Sequence, residues 1–232
     1  GSTVGSAAVT TIDVSEITNN GADIITDTGN GNVETTPTTS LDITGSQQGD
    51  VIAGGTAGDE ITGGTGSDEF RFGTGDGGDE ITDFVSGADA IGVSNSDFSI
   101  SAGTLGAPIE AAPGTFSTGQ ITDDSFAVLT GGGSVIDTSG NDSADLAAIN
   151  AAFDSGGGDD GFTTAADAVL AFVADTTGDG NGDEVQIWFA EESAGADNTA
   201  DAAEQLATLS DISVTGATDL AGNFQDGDVI GF

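Results

Sequence analysis

The 232-residue chain has no cysteine, methionine, histidine or tyrosine, three prolines, one tryptophan and a single basic residue, Arg71. Each absence removes a class of protein. Without cysteine no disulfide can staple the fold. Without cysteine, histidine or lysine, the usual Ser-His, Cys-His and Schiff-base arrangements cannot form from these side chains, and the common zinc ligands are missing. Phosphate recognition needs clustered Lys and Arg, so nucleic acid and anionic lipid are excluded as charge-driven partners. No apolar run is long enough to span a bilayer as a helix, which argues against membrane insertion. No amino-terminal run of basic residues before an apolar core marks a signal peptide.

What is abundant is acid and glycine: 40 Asp and Glu, 39 Gly, and a formal net charge of -39. A compact state carrying that charge repels itself, so folding calls for bound cations. A halophile's acidic surface explains the charge equally and is compatible with that need.

The glycines and aspartates are ordered. A nine-residue period runs through Gly45-Ser-Gln-Gln-Gly-Asp50-Val-Ile-Ala, Gly54-Gly-Thr-Ala-Gly-Asp59-Glu-Ile-Thr and Gly63-Gly-Thr-Gly-Ser-Asp68-Glu-Phe-Arg71. Asp50, Asp59 and Asp68 hold the sixth place, and Ile52, Ile61 and Phe70 the eighth. Calcium takes six to eight oxygens from carboxylates and backbone carbonyls. Glycine permits a loop bent tightly enough to turn several carbonyls inward, and the apolar eighth residue then points into a core. Counting back in nines gives Leu41, Asn32 and Asp23, with Ile43, Glu34 and Ile25 at the apolar place. The segment around Asp23 therefore reads as a degenerate repeat, and the one carrying Pro37 as having lost its loop. Downstream the spacing lengthens to 11 and then 10, through Asp79-Glu-Ile81-Thr-Asp83-Phe84 and Gly87-Ala-Asp89-Ala-Ile91.

This pattern, Gly-Gly-x-Gly-x-Asp-x-U-x with U large and apolar, resembles the calcium-binding repeat of the RTX proteins, the secreted haemolysin and serralysin type. The resemblance covers residues 45 to about 93, with the strong repeats at 45–91, and the run from Asp79 to Ile91 resembles the exit of such arrays. It implies a parallel β-roll with two loops per turn, in which loops 18 residues apart stack. Asp50 then shares calcium with the loop of Asp68, and Asp59 with the next loop. The implied ligands are Asp50, Asp59, Asp68, Asp79, Asp83 and Asp89, with backbone oxygens of Gly54, Gly63, Gly66 and Gly77. It also implies export through a one-step type I exporter that reads an uncleaved carboxy-terminal signal, and a place outside a Gram-negative-type cell, secreted or on its surface. The ending Phe224-Gln-Asp-Gly-Asp228-Val-Ile-Gly-Phe232 looks like that family's acidic-then-apolar terminus, although a final buried strand reads identically.

The expected fold is therefore mostly β: an amino-terminal strand segment (1–17), a roll (18–93), and a β-rich, sandwich-like carboxy-terminal capping and secretion domain (94–232) with one or two short helices. Val9-Thr-Thr-Ile12-Asp-Val14-Ser-Glu-Ile17 alternates like a strand that pairs with a neighbour's open sheet edge. Ser125–Thr130, Gly133–Asp137 and Glu184–Ala190 read as strands from branched and aromatic content. Ser143–Phe153 has helical spacing with Ser143 as candidate N-cap. Thr199–Leu209 fits a second helix, with Gln205–Leu209 equally a strand, and Thr164–Ala174 is ambiguous. Asp175-Thr-Thr-Gly-Asp179-Gly-Asn-Gly-Asp183-Glu184 resembles an Asp-rich calcium loop. Thr177 at its third ligand place and Gln186 at the twelfth argue against a true EF-hand, and a plain hairpin turn is the alternative.

Acidic pairs such as Asp123-Asp124 and Glu191-Glu192 leave paired-carboxylate glycosidase chemistry formally open, but adjacent strand residues face opposite ways. The expectation is a non-enzyme. Three readings compete: a calcium-built, self-associating surface or matrix protein; a folding and secretion module of a larger adhesin or enzyme; and a passive calcium or carbohydrate binder. The partners expected are other copies of the chain, as oligomer or polymer, and a cell-envelope polysaccharide.

Overall fold

A computed structural model describes residues 10–13, 23–26, 40–76, 78–117, 119–130, 135–139, 142–153, 161–163, 166–178, 182, 184–192, 199–212, 220 and 222–232. The expected positions Asn32 and Glu34, and the site candidates Gly77, Asp179 and Asp183, lie outside them. The fold is mostly β. Its elements are β1 (Thr10–Asp13), β2 (Asp23–Thr26), β3 (Leu41–Thr44), β4 (Asp50–Ala53), β5 (Glu60–Thr62), β6 (Glu69–Phe72), β7 (Asp79–Ile81), β8 (Ala90–Val93), α1 (Asn95–Phe98), β9 (Gly103–Thr104), β10 (Ile109–Ala111), β11 (Ser125–Leu129), β12 (Val135–Asp137), α2 (Asp142–Ala152), β13 (Asp167–Asp175), β14 (Glu184–Glu191), β15 (Ala202–Leu209) and β16 (Val229–Gly231).

The first eight strands alternate between two sheets. Odd strands run β1-β3-β5-β7 in a ten-stranded sheet and even strands β2-β4-β6-β8 in a six-stranded one. Every pairing among these eight is parallel. The period explains this: nine residues carry the chain through one loop and one short strand to the opposite sheet, and eighteen bring it back. Registers align the apolar places, Ile43 with Ile61 and Ile61 with Ile81 on one sheet, and Ile25 with Ile52, Phe70 and Ile91 on the other. Ile43, Ile52, Ile61, Phe70, Ile81 and Ile91 are each at most 1 % exposed. Asp23 aligns with Asp50, which fits the upstream phase of the repeat. β1 pairs with β3, Ile12 opposite Ile43, so the amino-terminal strand lies on the chain's own sheet.

Both sheets continue without a break into the carboxy-terminal half. β15 lies parallel beside β7, Leu209 opposite Ile81. β16 lies parallel beside β8, Val229 opposite Ile91. One core between the sheets joins Ile61, Phe70 and Ile91 to Phe126, Val169, Ile187, Leu209 and Phe224. A second core covers the other face of the large sheet, where Leu170, Phe172 and Trp188 meet Ile149 and Phe153. β13 is therefore buried on both faces along nearly its whole length, the usual reason for a continuous apolar strand.

The strands expected at 125–130 and 184–190 are present as β11 and β14, and the described part of 133–137 is β12. The helix expected over 143–153 is α2, starting at Asp142, so Ser143 lies within it rather than capping it. The helix considered for Thr199–Leu209 is instead β15. Its backbone pairs with β14 on one side and β7 on the other, and only an extended chain brings Leu206 and Leu209 to the inter-sheet core. The ambiguous 164–174 segment is strand from Asp167 onward. Unforeseen was α1, a single turn that buries Phe98 against Phe189 with ring centroids 4.4 Å apart.

Phe70 is fully buried, packs 6.4 Å from the Phe84 ring and lies beneath Gly63. Phe70→Ala is expected to cost about 3–5 kcal/mol, against about 0.5 kcal/mol or less for Val85→Ala at a position 56 % exposed. Denaturant midpoints of the two variants measure this.

Candidate metal centre

The loops between strands lie almost in backbone contact. A methyl group added at Gly45 would sit 2.1 Å from the carbonyl oxygen of Gly63, and one at Gly64 2.1 Å from that of Ser46. One at Gly66 would meet the Gln48 carbonyl carbon at 2.5 Å, and Gly64 and Gly66 have φ of +103° and +147°. At Gly45, Gly64 and Gly66 no side chain larger than hydrogen fits between loop 45–50 and loop 63–68.

This stacking lines up the aspartates in two columns. On one, the Asp50 N–H donates to Asp68 Oδ1 at 2.8 Å and the Asp68 N–H to Asp89 Oδ1 at 2.9 Å. On the other, the Leu41 N–H donates to Asp59 Oδ1 at 2.7 Å and the Asp59 N–H to Asp79 Oδ1 at 2.9 Å. Asp59, Asp68, Asp79 and Asp89 thus each use Oδ1 to clip the preceding rung, whereas Asp50 accepts from the N–H and Oγ of Ser46 in its own loop. Oδ2 of Asp50, Asp59 and Asp68 turns toward its own loop, and would lie 2.9, 2.1 and 2.6 Å from a methyl at Gly45, Gly54 and Gly63. All of these aspartates are buried. Asp79 Oδ2 is buried with no hydrogen-bond partner.

Asp83 reaches back to the 63–68 loop, accepting from the Gly63 and Gly64 N–H groups at 2.7 and 2.8 Å. Asp89 Oδ2 accepts from the Val85 N–H at 2.8 Å, closing its own turn. The structure thus brings Asp50, Asp68, Asp83 and Asp89 together with Gly63 and Gly66, and Asp59 and Asp79 with Gly54. Asp175 belongs to neither column. It stands at the end of β13, where its Oδ1 accepts from the Thr177 and Gly178 N–H groups at 3.0 and 2.6 Å and holds the turn toward β14.

Two contributors escaped the sequence reading. Asp228 precedes β16 on the next rung, one residue out of register with Asp89, and accepts from Ser86 Oγ at 2.7 Å and the Gly87 N–H at 2.8 Å. Gly227-Asp228-Val229-Ile230 repeats the tetrapeptide Gly49-Asp50-Val51-Ile52, a signal that was there to be read. Glu204 of β15 accepts from the Gly75 N–H, and nothing in the local sequence announces a contact across 129 residues.

Electrostatically, Asp68, Asp76 and Asp79 sit where their ionisation is opposed. Burial, reinforced by the charges of Asp59 and Asp76, pushes the Asp79 carboxyl up to about 8. Burial pushes Asp68 up to about 6, with Asp89, Asp50 and Asp83 adding repulsion, and Asp76 also to about 6, with Glu204 and Asp97 adding to it. Among the described residues no three Asp or Glu converge on one point as a metal cluster. The arrangement instead offers one or two carboxylates per loop beside stacked backbone carbonyls, a donor set suited to a hard cation. No family model, curated protein or solved structure matches this chain.

In the calcium-free chain these carboxyls hold protons in the folded state that the unfolded chain releases near pH 4. Between about pH 4 and pH 8 the folded state binds more protons, so its stability falls as pH rises. With chelator present, the strand signal in circular dichroism is expected to be greater at pH 5 than at pH 8, and the loss between them to be smaller in Asp79→Asn. A strand signal that grows over this range would contradict the burial described.

Proposed function

We propose that the chain is an extracellular, calcium-stabilised structural protein whose repeats form a parallel β-roll of the RTX kind and which self-associates into a cell-surface or matrix structure. One observation carries this reading: two columns of buried aspartates, in which Asp59, Asp68, Asp79 and Asp89 clip the preceding rung through Oδ1 and Asp50, Asp59 and Asp68 turn Oδ2 toward a glycine with no room for a Cβ. Those residues fit calcium. Asp50, Asp59, Asp68 and Asp79, with carbonyls of the stacked loops, would hold it, and the ion supplies positive charge where the protein has none. Ions bound only by the folded form add to its stability. Where calcium is scarce, repulsion keeps the chain extended and exportable. Outside the cell, calcium closes the apolar column.

Self-association is supported by the sheet orders, in which the short strands β1 and β2 stand outermost among the described residues; outermost strands are templates for pairing with another chain. Asp68→Ala is expected to weaken calcium binding by roughly 10–100-fold, and Asp97→Ala much less; equal effects count against the loops as the site.

Electron microscopy with sedimentation, in calcium and then in excess chelator, tests the assembly. Ordered polymers that vanish on chelation, and that are lost on deleting residues 1–17 while strand content survives, are the expected result. A monomer that folds with calcium and never assembles would overturn it and favour a folding and secretion module of a larger type I secreted adhesin or enzyme.

A further inference from the structure

A cleft of about 450 Å³ opens where α2 and the end of β12 meet β14 and β15, lined by Thr138, Asp145, Trp188, Ala203, Glu204 and Gln205. That volume lies within the roughly 300–1,000 Å³ of small-molecule sites. Trp188, the chain's only tryptophan, is held rigidly. It stacks on Phe172 at 6.2 Å with planes 28° apart, and its Nε1 donates to Gln186 Oε1 at 2.8 Å. The Gln186 amide in turn donates to Glu184 at 2.7 Å. A second interaction orients Gln205, whose Nε2 donates to Thr208 Oγ1 at 3.0 Å. Asp145 is buried at 8 % exposure, and Thr138 Oγ1 is buried without a hydrogen-bond partner.

We propose that this cleft binds a neutral saccharide. Its polar lining offers acceptors in the Asp145 carboxylate, the Gln205 amide oxygen and the Thr138 hydroxyl, while the Glu204 carboxylate is taken up by the Gly75 N–H. A ligand must therefore bring several donors, and a pyranose carries a ring of hydroxyls around an apolar face that suits the small part of Trp188 left exposed, 8 % of the residue. Anionic sugars are repelled by the net charge of -39. The one cation able to recruit them, Arg71, is held by Glu69 at 2.6 Å and lies over the Phe232 ring. This goes beyond the calcium reading and needs only a folded chain. The cleft's aromatic side belongs to the core on the face of the large sheet turned away from the inter-sheet core.

Trp188 is its own reporter. Fluorescence titration and calorimetry in calcium, with maltotriose, cellotriose and tri-N-acetylchitotriose as probes, and with tri-galacturonate and spermidine as controls, test the proposal. Saturable binding of at least one neutral trisaccharide is expected, weakened about tenfold or more, which is about 1.4 kcal/mol, by Gln205→Ala and by Asp145→Asn with unfolding temperature unchanged. Three results would overturn it: no binding of any neutral probe at millimolar concentration, equal binding by both variants, or preferential binding of spermidine. Strand content measured by circular dichroism in the same samples separates these outcomes from a failure of calcium-dependent folding.

Discussion

Everything in this molecule depends on how closely one glycine-rich loop can lie on the next. Carbonyl oxygens of one loop occupy the space where a side chain of its neighbour would begin. That approach keeps the strands in step, so the eighth-place Ile and Phe residues form continuous buried columns. The same approach forces the sixth-place aspartates into columns of their own, where burial and neighbouring carboxylates oppose ionisation of Asp68 and Asp79. Hydrophobic closure and charge repulsion are thus set by one spacing. On the function proposed, a cation that relieves the repulsion permits the closure.

The carboxy-terminal half finishes what the repeats begin. β15 and β16 lie against the last strand of each repeat sheet, and the Phe84, Phe126 and Phe224 rings knit the two halves through one core. At the far end the chain's sole cation, Arg71, covers the ring of Phe232 at 4.4 Å, while Asp228 gathers Ser86, Gly87 and Gln225. These long-range contacts leave the final strand buried, with Val229 at 2 % exposure, and join residues far apart in the chain.

Legibility followed periodicity. Ile52, Ile61 and Phe70 could be placed in the core, and Asp50, Asp59 and Asp68 beside the stacked loops, because a two-sheet winding makes position in the nonapeptide equivalent to position in space. Longer spacings at Asp79 and Asp89 did not disturb this, since the extra residues are taken up before the strands, which keep register with Asp59 and Asp68. Outside the repeats the code weakens. The Ala-rich sequence of β15 has helical propensity, and only its pairing with β7 and β14 makes it a strand. Glu204 reaches the Gly75 loop through the fold alone. α1 is too short to leave a periodic trace, and Asp228 was masked by a terminus that reads equally as signal or strand.

The central claim is that calcium, by occupying the aspartate columns, makes this fold. Far-UV circular dichroism of the purified chain at neutral pH, titrated from chelator into calcium and separately into magnesium, tests it most directly. The account predicts a largely unfolded chain in chelator and a cooperative gain of strand signal with calcium, which magnesium, bound reluctantly outside octahedral oxygen sites, does not reproduce. A full strand signal in chelator, unchanged by calcium, would contradict it.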